Sequence, residues 1–380
     1  MKIAVVTPIP TPYRDPFWNE LANQPDVDLS VFYCSGGKKD RPWEVDWQLN
    51  FHAEVLPGKN LLAWRGQDAS CYWNPLITRR LKENKYDALL IGGYNHLTMW
   101  AAIRFARRNH IPYFMMCESY DKHHNSGYKK WVKQKLVNYV VGNARAGIPT
   151  GKLAAEYLVS YGAKKDDLIF LPNAPDVVSL AKRSSELTAI RSQLRNEYGL
   201  GDGVAALFVG RLIPKKRAGL LIRAFHKATQ NTDGQLVIVG GGPEEEELKS
   251  LTRSLQIEDR VHFQGFVQPS EVSKYYAMAD LFILPSSETW GVVVSEALAS
   301  SLPVIVTDQV GCHPDVINSP SVGDVVIAND EPSLTAAMEH RFSNPTSRES
   351  IADAWKPVFE TQRYDRLAAK VAAQIRNLIE

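Results

Sequence analysis

PSSETWGVVVSEALASSLPVIVTD, residues 285–308, decides how the rest of the chain reads. The apolar run LFILP (281–285) leads into it and LPVIVT (302–307) closes it. Short, unbroken apolar runs of this kind suit strands buried on both faces. Between them, residues 292–299 read as a helix whose small side chains fit against a sheet. The segment therefore predicts strand, tight loop, helix, strand, with Glu288 at the mouth of the helix and Glu296 near its far end. In an open α/β sheet that mouth, at the carboxyl ends of the strands, is where ligands bind. Gly291 leaves room for a close ligand, and the free N–H groups of a first helical turn attract negative or hydroxylated groups. Two glutamates eight apart also occur on many solvated helix faces, so the reading depends on what surrounds them.

The composition sets the frame. At 380 residues the chain exceeds one ordinary core and predicts two domains. Hydrophobic content of 44% and charged content of 23% are ordinary for a soluble globular protein. A net charge of +2 points to neither a nucleic-acid binder nor an acidic tail. Cys34, Cys71, Cys117 and Cys312 lie far apart with no paired metal-ligand spacing, and three of them fall in or beside apolar strand patterns. Reduced, buried thiols in a cytoplasmic protein are the expectation. MKIAVVTP at the start reads as a first strand broken by Pro8 and not as a signal peptide. No run approaches the roughly eighteen apolar residues that span a bilayer.

Outward from the opening stretch, strands and helices alternate. In the first half, strands are expected at 3–7, 29–34, 88–93, 112–117 and 139–142 (YVVG), with helices at 17–22, 75–84, 97–108 and 150–160. IFLPN (169–173) ends that half. Residues 43–73 form an irregular region holding Trp43, Trp47, Trp64 and Trp73; it reads as a packed loop or as a surface for stacking on sugar faces. The basic stretch YKKWVKQK (128–135) reads as a solvated helix face, or as a patch for anionic lipid head groups or a phosphate-bearing acceptor at the inner membrane face. Polar, helical residues 178–203 are taken as the crossing between domains and the entry helix of the second. A second series follows, with strands at 204–210, 235–240, 261–267, 281–285, 302–307 and 325–327. Helices are expected at 217–229, 243–256, 270–278, 332–342, 349–359 and 364–379. Repeated β-α-β units predict parallel sheets covered on both faces. The expected domains are 1–177 and 178–363, with the helix near 364–380 free to pack back on the first.

In the second series, Gly210 and Arg211 end the first strand and Lys216 follows in GRLIPKK. A planar guanidinium fork and a point charge at a strand's carboxyl end suit a diphosphate, although a basic loop is often only surface. GGGPEEEE (240–247) lacks the GxGxxG spacing, and its carboxylates would repel a pyrophosphate, so it reads as a structural turn into a helix.

Taken in order, VGRLIPKKR, VIVGGGPE, VHFQGFV, LFILPS, ETWGVVVSEALA and LPVIVTD resemble glycosyltransferase family 4, the retaining enzymes of GT-B fold that carry a "glycosyl transferases group 1" domain. The resemblance covers roughly 205–315; the first half matches only in its pattern of elements. It implies an α/β, GT-B architecture of two Rossmann-like domains facing each other across a cleft. The first domain would take the acceptor and the second the donor. It implies that Arg211 and Lys216 hold the donor's phosphates, that Glu288 faces the donor sugar, and that backbone N–H groups across Thr289, Trp290, Gly291 and Val292 touch its hydroxyls and phosphate. Glu296 would accept from the ribose hydroxyls, and Phe266 and Val267 would flank the base. No cofactor or metal is expected beyond the nucleotide-sugar itself. The only D-x-D string, Asp26 to Asp28, reads as a loop.

The chain also departs from the pattern. Arg217 stands where the family often has Gly, a candidate extra phosphate contact; PIPTPYR replaces a glycine-rich first loop, leaving donor contacts from Thr11 or Arg14 in doubt. Glu118 falls where many members place a His, and reads as a group that orients or deprotonates the acceptor, binds an amino group, or forms a strand-end salt bridge. Were Glu288 and Glu296 on one helix, about 12 Å would separate them along its axis, beyond the roughly 5 to 9.5 Å of hydrolytic carboxyl pairs. The expected function is transfer of a sugar from a UDP- or GDP-sugar to a hydroxyl of a glycan, lipid-linked saccharide or small glycoside. A GT-B epimerase, a free-disaccharide synthase and a carbohydrate-binding protein remain as rivals. A dinucleotide-dependent dehydrogenase would need the missing GxGxxG.

Overall fold

The computed structural model describes residues 1–37, 48–65, 69–120 and 128–380; Trp43 and Trp47 lie outside the described residues. The chain divides into two compact units, Met1–Asn173 with Gln362–Glu380, and Ala174–Thr361.

The first unit is built on a six-stranded sheet. Its strands are β1 (Lys2–Thr7), β2 (Asp28–Tyr33), β3 (His52–Val55), β6 (Ala88–Gly92), β7 (Tyr113–Cys117) and β8 (Ala146–Pro149). A separate antiparallel pair, β4 (Lys59–Asn60) and β5 (Tyr72–Trp73), carries the exposed Trp73. The main sheet runs β3-β2-β1-β6-β7-β8, and every pairing is parallel. Ile3, Ala4, Val5 and Val6 are wholly buried, as a central parallel strand requires. Helices α1 (Asp15–Ala22), α2 (Ile77–Glu83), α3 (Leu97–Arg108), α4 (Tyr128–Gly142) and α5 (Lys152–Ser160) connect the strands.

One sequence expectation fails here. YVVG at 139–142 is the last turn of α4, and the edge strand is Ala146–Pro149. Val137, Val140 and Val141 are buried at helical spacing, so the β-branched residues that suggested a strand are the core face of a helix. IFLPN runs extended beside β8, donating from Ile169 to Gly147 and from Leu171 to Pro149, but joins no sheet.

The second unit opens with α6 (Val177–Thr188) and α7 (Arg191–Glu197), both packed on its own helices, in the stretch read as the crossing and entry helix. Its sheet holds β9 (Ala205–Val209), β10 (Gln235–Val239), β11 (Val261–Gly265), β12 (Leu281–Leu284), β13 (Val304–Thr307) and β14 (Gly323–Val326). They run β11-β10-β9-β12-β13-β14, again all parallel. Its remaining helices are α8 (Ala218–Ala228), α9 (Glu245–Ser254), α10 (Ser273–Met278), α11 (Val292–Ala299), α12 (His313–Val316), α13 (Glu331–Ser343) and α14 (Arg348–Gln362). The closing helix α15 (Tyr364–Ile379) belongs to the first unit. It buries Leu367, Ala368, Val371, Ala372 and Ile375 on one face, packs on α1, and donates from the Tyr364 hydroxyl to the Tyr13 carbonyl at 2.9 Å.

Counted within its own sheet, each unit has strand order 3-2-1-4-5-6, the doubly wound arrangement whose switch point lies between the first and fourth strands. In the second unit the switch point is the boundary between β9 and β12. The loops leaving their carboxyl ends hold Arg211, Lys216 and Glu288.

Candidate functional site

The loop after β9 is shaped by the glycine turn beside it. Gly240 has φ +135°, and a Cβ there would lie 1.9 Å from the Gly210 carbonyl oxygen; at Gly242 it would lie 2.2 Å from that of Leu212. Only glycines let the two loops lie this close. Gly210 donates to Val239, Leu212 to Gly241 and Glu244 to Leu212, at 2.9, 2.9 and 3.2 Å. GGGPEEEE is thus a structural brace for GRLIPKK. A hollow of about 290 Å³ is lined by Arg217, Gly219, Leu220, Arg223, Glu244 and Glu247 among others. Burial and the Glu247 charge push the Glu244 carboxyl up.

The β9 and β12 loops are stitched together. Ser287 donates to the Lys215 carbonyl at 3.0 Å. Arg217, in the left-handed region at φ 55°, donates to the Pro285 carbonyl at 3.1 Å and to Gln309 Oε1 at 2.7 Å. The Arg217 guanidinium, read from sequence as a candidate phosphate contact, is a tie between loops. Lys216 forms an ion pair with Glu288 Oε1, and the two side chains are only 13% and 15% exposed. Burial pushes the Glu288 carboxyl up, but the charge and hydrogen bond of Lys216, the charge of Lys215 and the Ser286 hydroxyl outweigh it and hold the pKa below the ordinary range. Arg211 is half-buried at the end of β9.

Glu288 lies outside α11. It forms an isolated parallel bridge with Val310, its N–H donating to the Gln309 carbonyl at 3.0 Å. A separation counted along one helix therefore does not describe this pair. Gly291, at φ 104°, starts α11 with no side-chain cap, and a Cβ there would press on Val310 at 2.9 Å. In the first turn of α11 the Val294 N–H donates to the Gly291 carbonyl at 3.0 Å; a helix start without a side-chain cap is a favourable seat for negative or hydroxylated groups. Thr289 is exposed, Val292 half-buried, and the Trp290 ring is part of the core, so only the backbone of Trp290 can meet a ligand.

Glu296 sits on α11 and accepts from the Tyr276 hydroxyl through Oε2 at 2.8 Å. Burial raises its pKa and the Tyr276 bond partly offsets this, while the buried Tyr276 phenol is itself held well above its usual value by burial and the adjacent carboxylate. Arg348 fixes both elements: its guanidinium donates to the carbonyls of Tyr276, Ala277 and Ala279 at the end of α10, and to Ser300 after α11, at 2.6 to 3.0 Å. Burial lowers that guanidinium to about 10. A cation over two helix C-termini is the favourable end of both dipoles. Phe266 stands half-exposed after β11, with Val267 packed on the core beside it.

Sequence reasoning missed Tyr276, Gln309 and Arg348. Their roles depend on contacts across tens of residues, and the string KYYAMAD looks like any amphipathic helix end.

The structure places Glu118 in the first unit, exposed after β7. The buried Arg14 guanidinium, lowered by burial, feels the Glu118 charge as its strongest opposing influence. Arg14 also donates to Asn173 Oδ1 and, at 3.5 Å, to the Pro172 carbonyl. It is a structural tie between the first loop and the 169–173 segment. Trp64 is exposed beneath the Arg65 guanidinium, 5.0 Å from the ring centroid.

Among the described residues no helix is long and apolar enough to cross a membrane. Residues 190–356 match the family profile "Glycosyl transferases group 1". A relative from Mycobacterium tuberculosis (strain CDC 1551 / Oshkosh), the GDP-mannose-dependent alpha-(1-6)-phosphatidylinositol monomannoside mannosyltransferase, is 31% identical over 198 residues, 50% of this chain and 51% of its own. The aligned part thus spans about half the length of such curated relatives. The crystal structure of Anabaena Alr3699/HepE in complex with UDP superposes with TM-score 0.73 at 17% identity, covering 99% of both chains. A glycosyltransferase from Rickettsia africae ESF-5 gives TM-score 0.75 at 14% identity, over 100% of this chain and 98% of that one. The likeness runs through both units, and the fold is GT-B. The segment that matches the glycosyl transferases group 1 profile runs from the start of α7 into α14 and so lies wholly within the second unit.

Proposed function

We propose that the protein is a retaining, metal-independent glycosyltransferase. It would move a sugar from a nucleoside-diphosphate sugar to a hydroxyl of a glycan, lipid-linked saccharide or small glycoside. One observation carries the reading. At the switch point of the second sheet, the Lys216–Glu288 ion pair joins the β9 loop to the uncapped start of α11. Lys216 and the helix-end N–H groups would then face a departing diphosphate.

When the glycosyl–phosphate bond breaks, its electron pair goes to the diphosphate. Arg211, Lys216 and the first-turn N–H groups of α11 are preorganised to receive that charge, and preorganised donors lower such barriers. Glu288, kept ionised by Lys216, would accept from the sugar hydroxyls. Glu296 would accept from the ribose, with Phe266 and Val267 against the base. In the first unit Glu118 would orient or deprotonate the acceptor hydroxyl, and the exposed Trp64 and Trp73 offer rings for sugar faces. The mycobacterial relative is named for GDP-mannose and the Anabaena structure holds UDP, both consistent with a nucleoside-diphosphate donor.

The test is transfer from a panel of nucleotide-sugars, with the product's anomeric configuration read by NMR. The expected result is an α-linked product from an α-linked donor, lost in R211A and E288A while both remain folded, and reduced in E118Q. Inverted configuration would overturn retention, undiminished transfer in R211A or E288A the donor site, and unchanged turnover in E118Q the role of Glu118.

A further inference from the structure

We infer that the outer face shared by α3 and α4 in the first unit is a docking surface for a membrane rich in anionic lipid. The inference stands apart from the donor chemistry of the second unit. Helix α4 is anchored by Val137, Val140 and Val141, and on another side it leaves Trp131, Leu136 and Tyr139 exposed at 53%, 49% and 43%. Trp131, Lys135 and Tyr139 follow at four-residue spacing, so they form one ridge along the helix. Large apolar side chains at that exposure are costly in water unless something covers them, and here several lie together.

Helix α3 continues the face. The Trp100 and Tyr139 rings are nearly parallel with centroids 6.4 Å apart, and Arg107 donates to the Tyr139 hydroxyl while lying 4.6 Å from its ring centroid. Leu97, Arg104 and Arg108 are exposed on α3, as are Lys133 and Lys135 on α4. Neither helix contains an Asp or Glu. In a chain whose net charge is only +2, this is a local concentration of positive charge around exposed aromatic rings. Lys135 lies 4.4 Å from the Trp131 ring centroid, an arrangement in which the aliphatic stem and ring can enter the head-group layer while the ammonium meets phosphate.

That combination selects the partner. Apolar anchoring alone would suit any membrane, and cations alone would suit any polyanion. Together they fit a surface offering both negative charge and an apolar layer beneath it.

The experiment is co-sedimentation of the full chain with vesicles of phosphatidylcholine, with and without phosphatidylglycerol. Binding to the mixed vesicles alone is expected, weakening as salt shortens the screening length from about 10 Å at 0.1 M towards about 3 Å at 1 M. Each exposed cation near such a surface contributes about fivefold in partition. R104Q, R108Q and K135Q together should therefore lower binding roughly a hundredfold, and W131A alone roughly tenfold. These side chains are exposed, so melting temperature should not change. Equal binding to phosphatidylcholine alone, or unchanged binding in both variants, would overturn the inference. So would retention on heparin without binding to anionic vesicles, which would make the face a site for a soluble polyanion.

Discussion

Replacing Lys216 by Met tests whether the ion pair at the switch point serves folding, chemistry or both. The two side chains are 13% and 15% exposed, so the pair is largely removed from water. Breaking a buried pair by deleting one partner costs about 3–5 kcal/mol; the remaining exposure places K216M at the lower end, about 3 kcal/mol. The pH dependence has a definite sign. Glu288 titrates below its ordinary value of 4.5 in the folded protein. Its contribution to stability is therefore present above that value and lost as pH falls through the folded pKa. The gap between wild type and K216M in urea midpoint should be full at pH 7 and close towards pH 3. The neutral double variant K216M/E288Q removes both charges and should recover stability to within about 1 kcal/mol of wild type. Nucleotide release during transfer should behave otherwise. Loss of one preorganised donor to developing charge costs about 100- to 1,000-fold, and the double variant should stay as slow as K216M. If K216M/E288Q regained both stability and turnover, the pair would be a structural brace and the phosphate-clamp argument would fail.

Burial raises Asp15 to about 7, against hydrogen bonds from the Tyr33 hydroxyl and the Thr11 N–H. With the folded pKa above the unfolded 3.8, its stabilising share is complete below about 3.8 and lost as pH rises through about 7, up to roughly 4 kcal/mol. D15N should lack that part of the slope in urea midpoints between pH 4 and 8, and parallel curves would contradict this. Tyr276→Phe takes from Glu296 a hydrogen bond worth about 1 kcal/mol. Nucleoside diphosphate binding should weaken severalfold in calorimetry, with the acid-side loss of affinity setting in at higher pH because the hydroxyl no longer lowers the carboxyl. Unchanged affinity would separate Glu296 from the ribose.

What could be read in the sequence, and what could not, follows from range. The strands flanking 285–308 were legible because parallel strands buried on both faces leave unbroken apolar runs, and α11 coincides with the expected 292–299. Val137, Val140 and Val141 misled because β-branched residues at the end of a basic helix look locally like a strand; only burial against the first sheet identifies them. Lys216 and Glu288 could be named but not paired, since 72 positions separate them (288 less 216) and the switch point joins them. Arg217 and Arg14 invited a ligand reading because a guanidinium in a loop resembles a binding group. Their carbonyl partners, Pro285 and Pro172, are invisible to residue-type reasoning. Trp290 is the converse case: a conspicuous ring beside a glycine that belongs to the core.

The most direct measurement is a thermal-shift titration of the wild type and K216A with UDP, GDP, ADP and dTDP, each with and without magnesium. Ligand that binds only the folded state raises stability by mass action, about 2.7 kcal/mol at a hundredfold excess over Kd. The account predicts a shift with one nucleoside diphosphate, indifferent to magnesium and lost in K216A. A shift that survives in K216A, or none with any of the four, would contradict a diphosphate site at the β9–β12 switch point.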